Sequence, residues 1–161
     1  MGAGKSAVMA EASDILSQRS IVHASIDLDA LAVAHLPSAA ASDEIMYRNL
    51  RSVYRNCVDA GITRVLLARA VEDRALLDLI RSIVPAAHTV VCRLAAKIET
   101  MQQRVASRET GMLQHQFVAR VAELNAILDR AALEDFTVVN ENRSLTQVAL
   151  EMLVEAGWIS P

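Results

Sequence analysis

Apolar positions along the chain follow two different spacings. Apolar residues three and four apart predict helices, and short β-branched runs between them predict strands. Residues 7–18 show the helical spacing, because Val8, Ala12, Ile15 and Leu16 would form one stripe. In chain order the predicted elements are helix 7–18, strand 21–27, helix 43–60, strand 64–70, helix 73–84, strand 88–94, helices 95–107 and 113–130, strand 136–140, and a last helix that a capping box opens at Ser144 and Gly157 ends.

Strands that alternate with helices and carry continuous apolar character are typical of a parallel sheet covered on both faces. We therefore expect an α/β fold of three layers, α/β/α. Ligands of such sheets bind beyond the carboxyl ends of the strands. Candidate functional residues are thus to be sought directly after each strand. Residues 37–42 (PSAAAS) are the only loop-like segment of this kind.

Composition narrows the classes of function. The 161 residues suit one domain, 1–161, and 53% of them are hydrophobic. A net charge of −3 without a basic block argues against nucleic-acid binding. No apolar run is long enough to span a membrane, and no signal peptide is recognisable. We expect a cytoplasmic protein with Cys57 and Cys92 as free thiols, and the sequence leaves a homodimer open.

The amino terminus carries the clearest motif. Residues Met1–Ser6 (MGAGKS) match the back half of the Walker A pattern, in which glycines let backbone N–H groups converge on phosphate oxygens. In this interpretation Gly2, Ala3, Gly4, Lys5 and Ser6 bind ATP. Lys5 would reach the β- and γ-phosphates, and the Ser6 hydroxyl would bind Mg²⁺. The helix that follows would direct its positive end at the anion.

Two parts of this motif are missing. The first glycine of the pattern, and the strand that normally leads into the loop, would lie before Met1. That first strand is central in nucleotide kinases, so we expect a gap with unpaired backbone groups. Two explanations remain: the recorded start is too late, or the protein is a truncated relative.

Asp27 and Asp29 follow the second expected strand of the fold. At a period of two they would share one face and point towards the loop. One carboxylate, Asp27, would hold Mg²⁺, and the other, Asp29, would accept the proton of an attacking hydroxyl.

These residues resemble a known family. The order GAGKS, helix, strand ending Asp-Leu-Asp, then Arg48–Arg51 (RNLR) and Asp59–Ile62 (DAGI), is similar to adenylylsulfate kinases and to their ATP-binding bacterial relatives. The resemblance implies transfer of the ATP γ-phosphate to a small hydroxylated acceptor. It also implies that Asp29 orients or deprotonates that hydroxyl, and that Asn49 and Arg51 contact the acceptor.

The sequence departs from the family at two places. Leu28 replaces the glycine between the two acids, and Val71–Arg74 (VEDR) replaces a substrate-binding Ser-Pro segment. Both departures argue against adenylylsulfate itself as the acceptor.

A lid is expected at about residues 104–112. Arg104 and Arg108 lie four apart on one helical face, where cations could screen the transferred phosphoryl group. Arg69, inside an apolar strand, needs a partner that a nearby site could supply. Two other functions stay open: a nucleotide-binding regulatory module, and an inactive relative that serves as a structural domain.

Overall fold

The computed structural model describes residues 1–32 and 39–161, with only the backbone of residues 39–42. Part of the loop-like segment 37–42 lies outside the described residues. Six helices and four strands alternate along the described chain. Their bounds are α1 Lys5–Gln18, β1 Ala24–Asp27, α2 Ala39–Asp59, β2 Val65–Ala68, α3 Arg74–Ile83, β3 Cys92–Ala95, α4 Ile98–Arg108, α5 Gln114–Ala131, β4 Phe136–Val139 and α6 Leu145–Glu155, with a short 3-10 turn at Leu28–Ala30.

The strands form two separate parallel pairs. β1 pairs with β2, and Ile26 lies opposite Leu67. β3 pairs with β4, and Leu94 lies opposite Val138. Within the described residues β2 and β3 form no ladder with each other, although one cavity is lined both by β3 and by the residues that follow β2. The prediction of parallel strands alternating with helices is confirmed.

Apolar side chains hold helices against the strands in separate clusters. One cluster joins α1 and α6 through Val8, Leu16, Val148 and Leu153, all fully buried, and Leu66 of β2 packs against it. A second cluster joins α2 and α3 to β1 and β2. The neighbouring residues Val65 and Leu67 pack against this second cluster, so alternate positions of β2 face different helices.

Several element boundaries differ from the sequence-based expectation. α1 begins at Lys5 rather than at residue 7, because Gly4 adopts the left-handed conformation that starts the helix. β1 begins only at Ala24, and the His23 ring just before it hydrogen-bonds the Ile21 carbonyl and the Ser13 hydroxyl. β3 begins at Cys92 rather than at residue 88.

Two further expectations concern the whole chain. Cys57 and Cys92 are both free thiols, as predicted. Among the helices of the described chain, none combines the length and the apolar character that crossing a membrane requires.

The capping box predicted from the sequence at Ser144 is present at the start of α6, and its contribution to stability can be tested. The Ser144 hydroxyl accepts from the Gln147 N–H at 3.2 Å, and the Gln147 side chain accepts from the Ser144 N–H at 3.1 Å. We expect Ser144→Ala to lower the free energy of unfolding by about 1 kcal/mol, because a helix N–H loses its partner. Urea denaturation measures this change.

Ser52→Ala is the matched control, since its hydroxyl only contacts the Arg48 carbonyl within α2. This control should change stability by no more than about 0.5 kcal/mol. Equal losses from the two substitutions would contradict a specific role of the cap.

Candidate functional site

The loop of residues 2–4 has a backbone conformation that requires glycine. Gly2 and Gly4 have positive φ angles of 75° and 92°. A Cβ at Gly2 would lie 2.4 Å from the Met101 carbonyl oxygen, and one at Gly4 would lie 2.4 Å from Asn140 Nδ2. The loop therefore runs at close approach to two other elements, and α1 follows it directly. A helix N-terminus behind a glycine loop is a favourable place for an anion.

Side chains from the far end of the chain hold this loop in place. Asn140, which is only 4% exposed, follows β4 and donates from Nδ2 to the Ala3 carbonyl oxygen at 2.8 Å. Arg104 of α4 donates to the carbonyl oxygens of Asn140 at 3.0 Å and of Gly2 at 3.4 Å. The guanidinium of Arg104 thus ties the loop to the end of β4.

The end of β1 meets the start of α1. The Ser6 hydroxyl donates a hydrogen bond to Oδ2 of Asp27, the last residue of β1. Oδ1 of Asp27 accepts from the Asp29 N–H at 3.1 Å. The carboxylate of Asp27 therefore links the loop-helix junction to the turn that carries Asp29.

Asp27 and Asp29 do not share the strand face that the sequence led us to expect. β1 ends at Asp27, and Leu28–Ala30 form a 3-10 turn in which Leu28 is fully buried. Burial of this apolar side chain holds the turn that carries Asp29 against the core. Leu28 thus has a packing role.

Arg69, which directly follows β2, is the main partner of Asp29. Its Nη1 lies 2.6 Å from Asp29 Oδ1, and its Nη2 lies 3.3 Å from Asp43 Oδ1 on α2. Burial opposes the charge of Arg69, but the hydrogen bond and charge of Asp29 leave its pKa above the ordinary value. Arg69 was outside the predicted set of site residues, and an arginine inside an apolar strand was the signal that pointed to it.

Lys5 occupies the first turn of α1, next to this group of carboxylates. Burial lowers the pKa of Lys5, and the negative charges of Asp29 and Asp27 partly offset that effect. A partly desolvated ammonium beside acids is suited to a further anionic ligand, because that ligand would restore the charged form.

The other predicted site residues lie further from the loop or are already engaged. Asn49 donates to the Leu31 carbonyl oxygen at 2.7 Å, beside the turn that carries Asp29. Arg51 is exposed on α2 and has no hydrogen bond or ion pair to any described residue. Arg108 is exposed at the end of α4 and pairs with Glu109 at 2.8 Å.

The oxygen ligands available at the loop suit Mg²⁺. Ser6 and Asp27 offer a hydroxyl and a carboxylate in contact, and Mg²⁺ is usually bound by one or two such groups together with phosphate oxygens and water. Residues 1–32 and 43–161 contain no group of three or more His, Cys, Asp or Glu that could hold a metal by protein ligands alone. The donor set fits a metal that arrives with a phosphate-bearing ligand.

A cavity of about 90 Å³ adjoins the site. Met1, Ala3 and Lys5 line one part of it, and Arg69, the first residue after β2, lines another. The cavity continues along β3, where Cys92 and Leu94 form its wall. Burial raises the pKa of the Cys92 thiol to about 12.

Two solved kinase structures share the fold of this chain. A sugar kinase from Janibacter sp. HTCC2649, solved without ligand, matches with a TM-score of 0.63 and 19% identity over 98% of this chain and 90% of that one. The APS kinase of Mycobacterium tuberculosis, solved with AMPPNP and APS, matches with a TM-score of 0.61 and 17% identity over 97% of this chain and 92% of that one. This chain therefore shares its fold with these two kinases. No family model and no curated protein matches its sequence.

The close approach at Gly4 predicts the effect of a single methyl group. We expect Gly4→Ala to lower the free energy of unfolding by about 1–3 kcal/mol, because alanine is strained at this φ and its Cβ would displace Asn140. Thermal or urea denaturation measures the loss.

Gly111→Ala is the control, since a Cβ there meets open space and its φ is not positive. This control should leave stability within about 0.5 kcal/mol of the parent. A neutral Gly4→Ala would show that the loop is not held in the conformation described.

Proposed function

We propose that this protein is an ATP-dependent phosphotransferase that moves the γ-phosphate of ATP to a small hydroxylated acceptor. The observation that carries the proposal is the contact between Ser6 and Asp27, made directly behind the glycine loop at the carboxyl edge of β1. The kinase-like fold of the chain supports it.

The donor side of the site is assigned to the loop and the start of α1. Gly2, Ala3 and Gly4 would present backbone N–H groups to the phosphates, and Lys5 would neutralise their charge. Ser6 and Asp27 would hold Mg²⁺, which supplies charge neutralisation between the phosphates when bound. The APS kinase with this fold was solved with the ATP analogue AMPPNP, which supports a nucleotide as the ligand here.

The acceptor side is assigned to Asp29. Its side chain is 61% exposed, and Arg69 contacts only Oδ1, so no described residue hydrogen-bonds Oδ2. Oδ2 would accept the proton of the acceptor hydroxyl while that oxygen attacks the γ-phosphorus and the bond to the bridging oxygen of ADP breaks. Asn49 and Arg51 on α2 remain candidates for holding the acceptor.

The two predicted lid arginines receive different roles in this proposal. Arg104 is engaged by two backbone carbonyl groups, so it positions the glycine loop. Arg108 is exposed at the end of α4, where it could exchange Glu109 for the transferred phosphoryl group. The segment of residues 104–112 would then act as the lid.

The proposal includes a finer description of the fold. We assign the chain to the three-layer α/β/α P-loop class, in which the strand that leads into the glycine loop lies between β2 and β3. The separation of the strands into the pairs β1–β2 and β3–β4, with helices packed on them, supports this assignment.

Binding of Mg-ATP is the first test of the donor site. A ligand at 100 times its dissociation constant adds about 2.7 kcal/mol to the free energy of unfolding, so Mg-ATP should raise the thermal midpoint. We expect Lys5→Met to abolish this rise, because the phosphates lose their only nearby lysine. Differential scanning fluorimetry measures the midpoint.

Lys97→Met is the matched control, since residues 5 and 97 are the two lysines of the chain and Lys97 lies at the start of α4. That variant should keep the Mg-ATP response of the parent. Absence of any response in the parent protein would contradict a nucleotide site and would favour an inactive relative.

Transfer is the second test. In a screen of hydroxylated metabolites with γ-labelled ATP, we expect Asp29→Asn to lower transfer by about 10²–10⁴-fold, because the acceptor proton loses its base. The Mg-ATP-dependent rise in thermal midpoint should persist in that variant, since among the described residues Asp29 forms no hydrogen bond or ion pair with residues 2–6.

Asp78→Asn is the control, because Asp78 is an exposed surface acid that pairs only with Arg81. Full transfer by the Asp29→Asn protein would remove Asp29 from the chemistry. Mg-ATP binding without transfer to any acceptor would instead favour a nucleotide-binding regulatory module.

A further inference from the structure

Residues 71–73, in the loop between β2 and α3, make three different kinds of contact. Val71 packs against the apolar cluster of α2 and α3. The Asp73 carboxylate accepts from the Leu76 N–H at 2.7 Å and so caps α3. Glu72, which lies between these two residues, contacts α5 instead. In place of the Ser-Pro segment expected of adenylylsulfate kinases, this loop thus presents a carboxylate to another helix.

The partner of Glu72 is Arg120 of α5. Nη2 of Arg120 lies 3.3 Å from Oε1 and 3.0 Å from Oε2 of Glu72. Nη1 of Arg120 lies 2.5 Å from Oε1 of Glu123, which is three residues further along α5. The guanidinium is therefore held by its own helix on one side and by both oxygens of the Glu72 carboxylate on the other. Contacts between two ionised groups are stronger than those between neutral groups.

This ion pair links parts of the molecule that share few other polar contacts. On the side of β3 and β4, Arg104 of α4 donates to the end of β4, and Asp129 of α5 pairs with Arg93 at 2.5 Å. Towards the part of the chain from β1 to α3, the described residues of α4 and α5 form one ion pair and no other hydrogen bond. That pair is Glu72 with Arg120.

The helices α4 and α5 form one packed unit, the α4–α5 hairpin. Val105 of α4 and Val121 of α5 lie in the same buried cluster. Gln114, at the start of α5, donates to the Ala106 carbonyl of α4 at 2.7 Å. Because Arg120 directly precedes Val121, the position of Arg120 is linked through this packing to the position of α4.

Both ends of this link lead to residues that we assign to phosphoryl transfer. Arg108 is the last residue of α4. Burial is the main cause that lowers the pKa of Lys5, and the positive charge of Arg108 contributes to the same direction. Arg108 therefore lies within electrostatic range of the lysine beside the glycine loop. At the other end, Glu72 follows three residues after Arg69, whose guanidinium binds Asp29.

We propose that Glu72 and Arg120 are positioning residues. Their ion pair, the clasp, holds the α4–α5 hairpin against the loop after β2 and so places Arg108 over the phosphoryl group that is transferred near Asp29. This inference rests on the proposed function, because it takes Arg108 and Asp29 as groups that act on that phosphoryl group. An exposed ion pair contributes little to global stability, so loss of the clasp should open the hairpin without unfolding the protein.

Transfer kinetics of Glu72→Gln, Arg120→Gln and the double variant test the positioning role. Each single substitution should lower kcat about two- to fivefold, the factor that an exposed ion pair contributes, because Arg108 then spends less time over the phosphoryl group. The KM of the acceptor and the dissociation constant of Mg-ATP should change by less than about 1.5-fold, since neither residue belongs to the donor or acceptor site. The double variant should lose no more than the larger single loss, because each residue acts through the other.

The Arg108→Gln background shows whether the clasp acts through the lid. In that background Glu72→Gln should cause no further loss of kcat, because the hairpin no longer carries the cation that it positions. A substitution that only weakened the fold would lower kcat by the same factor in both backgrounds. Equal losses in the two backgrounds therefore overturn the proposal, as does a double-variant loss equal to the product of the single losses.

Glu151→Gln is the matched control. Glu151 pairs with Arg143 at 2.5 Å, and these side chains are 39% and 32% exposed, compared with 38% and 35% for Glu72 and Arg120. The control pair lies within the segment from the end of β4 to α6, so it ties no other helix to the site. We expect this variant to keep the kcat of the parent. A loss equal to that of Glu72→Gln would overturn a specific role of the clasp.

Hydrogen exchange without nucleotide tests the clasp separately from the proposed function. Glu72→Gln and Arg120→Gln should each speed exchange at the amides of residues 117–121 in α5 about threefold, because the closed hairpin loses an exposed ion pair. The amides of α6 should exchange as in the parent. Unchanged exchange in α5 overturns the clasp, whether or not transfer is observed.

The two measurements distinguish failure of this inference from failure of the proposed function. Faster exchange in α5, with transfer that the clasp variants do not affect, overturns the positioning role alone. Faster exchange in α5, with no transfer by the parent protein to any acceptor, contradicts the proposed function and removes the positioning role with it.

Discussion

The hydrogen bond from the buried Asn140 amide to the Ala3 carbonyl is the contact on which the candidate site depends. It joins the end of β4 to a glycine loop more than a hundred residues earlier in the chain. The pairing leaves no room for a side chain at Gly4, and it orients the start of α1 towards the carboxyl edge of the strands. An unsatisfied amide at this depth would cost about 1–3 kcal/mol, so the loop and the strand end stabilise each other.

Around this contact the charged side chains form a continuous series from the loop to α2. Ser6 binds Asp27, the Asp29 N–H binds Asp27, and Arg69 bridges Asp29 and Asp43. The acids Asp29 and Asp43 are more than half exposed, and exposed ion pairs contribute little stability. These contacts therefore contribute position rather than stability. They hold Asp29 near the loop, and one of its carboxylate oxygens stays available to a ligand.

The division of the strands into two pairs connects the fold to the site. The glycine loop region contacts the carboxyl ends of β1 and β4, one strand from each pair, and the cavity along β3 adjoins it. Asn140, directly after β4, and Arg104 of α4 hold the loop on one side, whereas Met1 lines the cavity. The conformation of the glycine loop therefore depends on the positions of the strand ends.

Local patterns in the sequence were sufficient for the alternation of helices and strands, the capping box at Ser144 and the glycine loop, because each depends on residues within a few positions of one another. The parallel sense of the strands also followed, since strands joined by helices leave little other choice. Tertiary structure alone decided that Leu28 enters the core where β1 ends, that Arg69 is the partner of Asp29, and that Arg104 holds the backbone of the loop. Those outcomes depend on distances between residues 40 to 102 positions apart. Spacing along the chain carries no information about such distances until the core has packed.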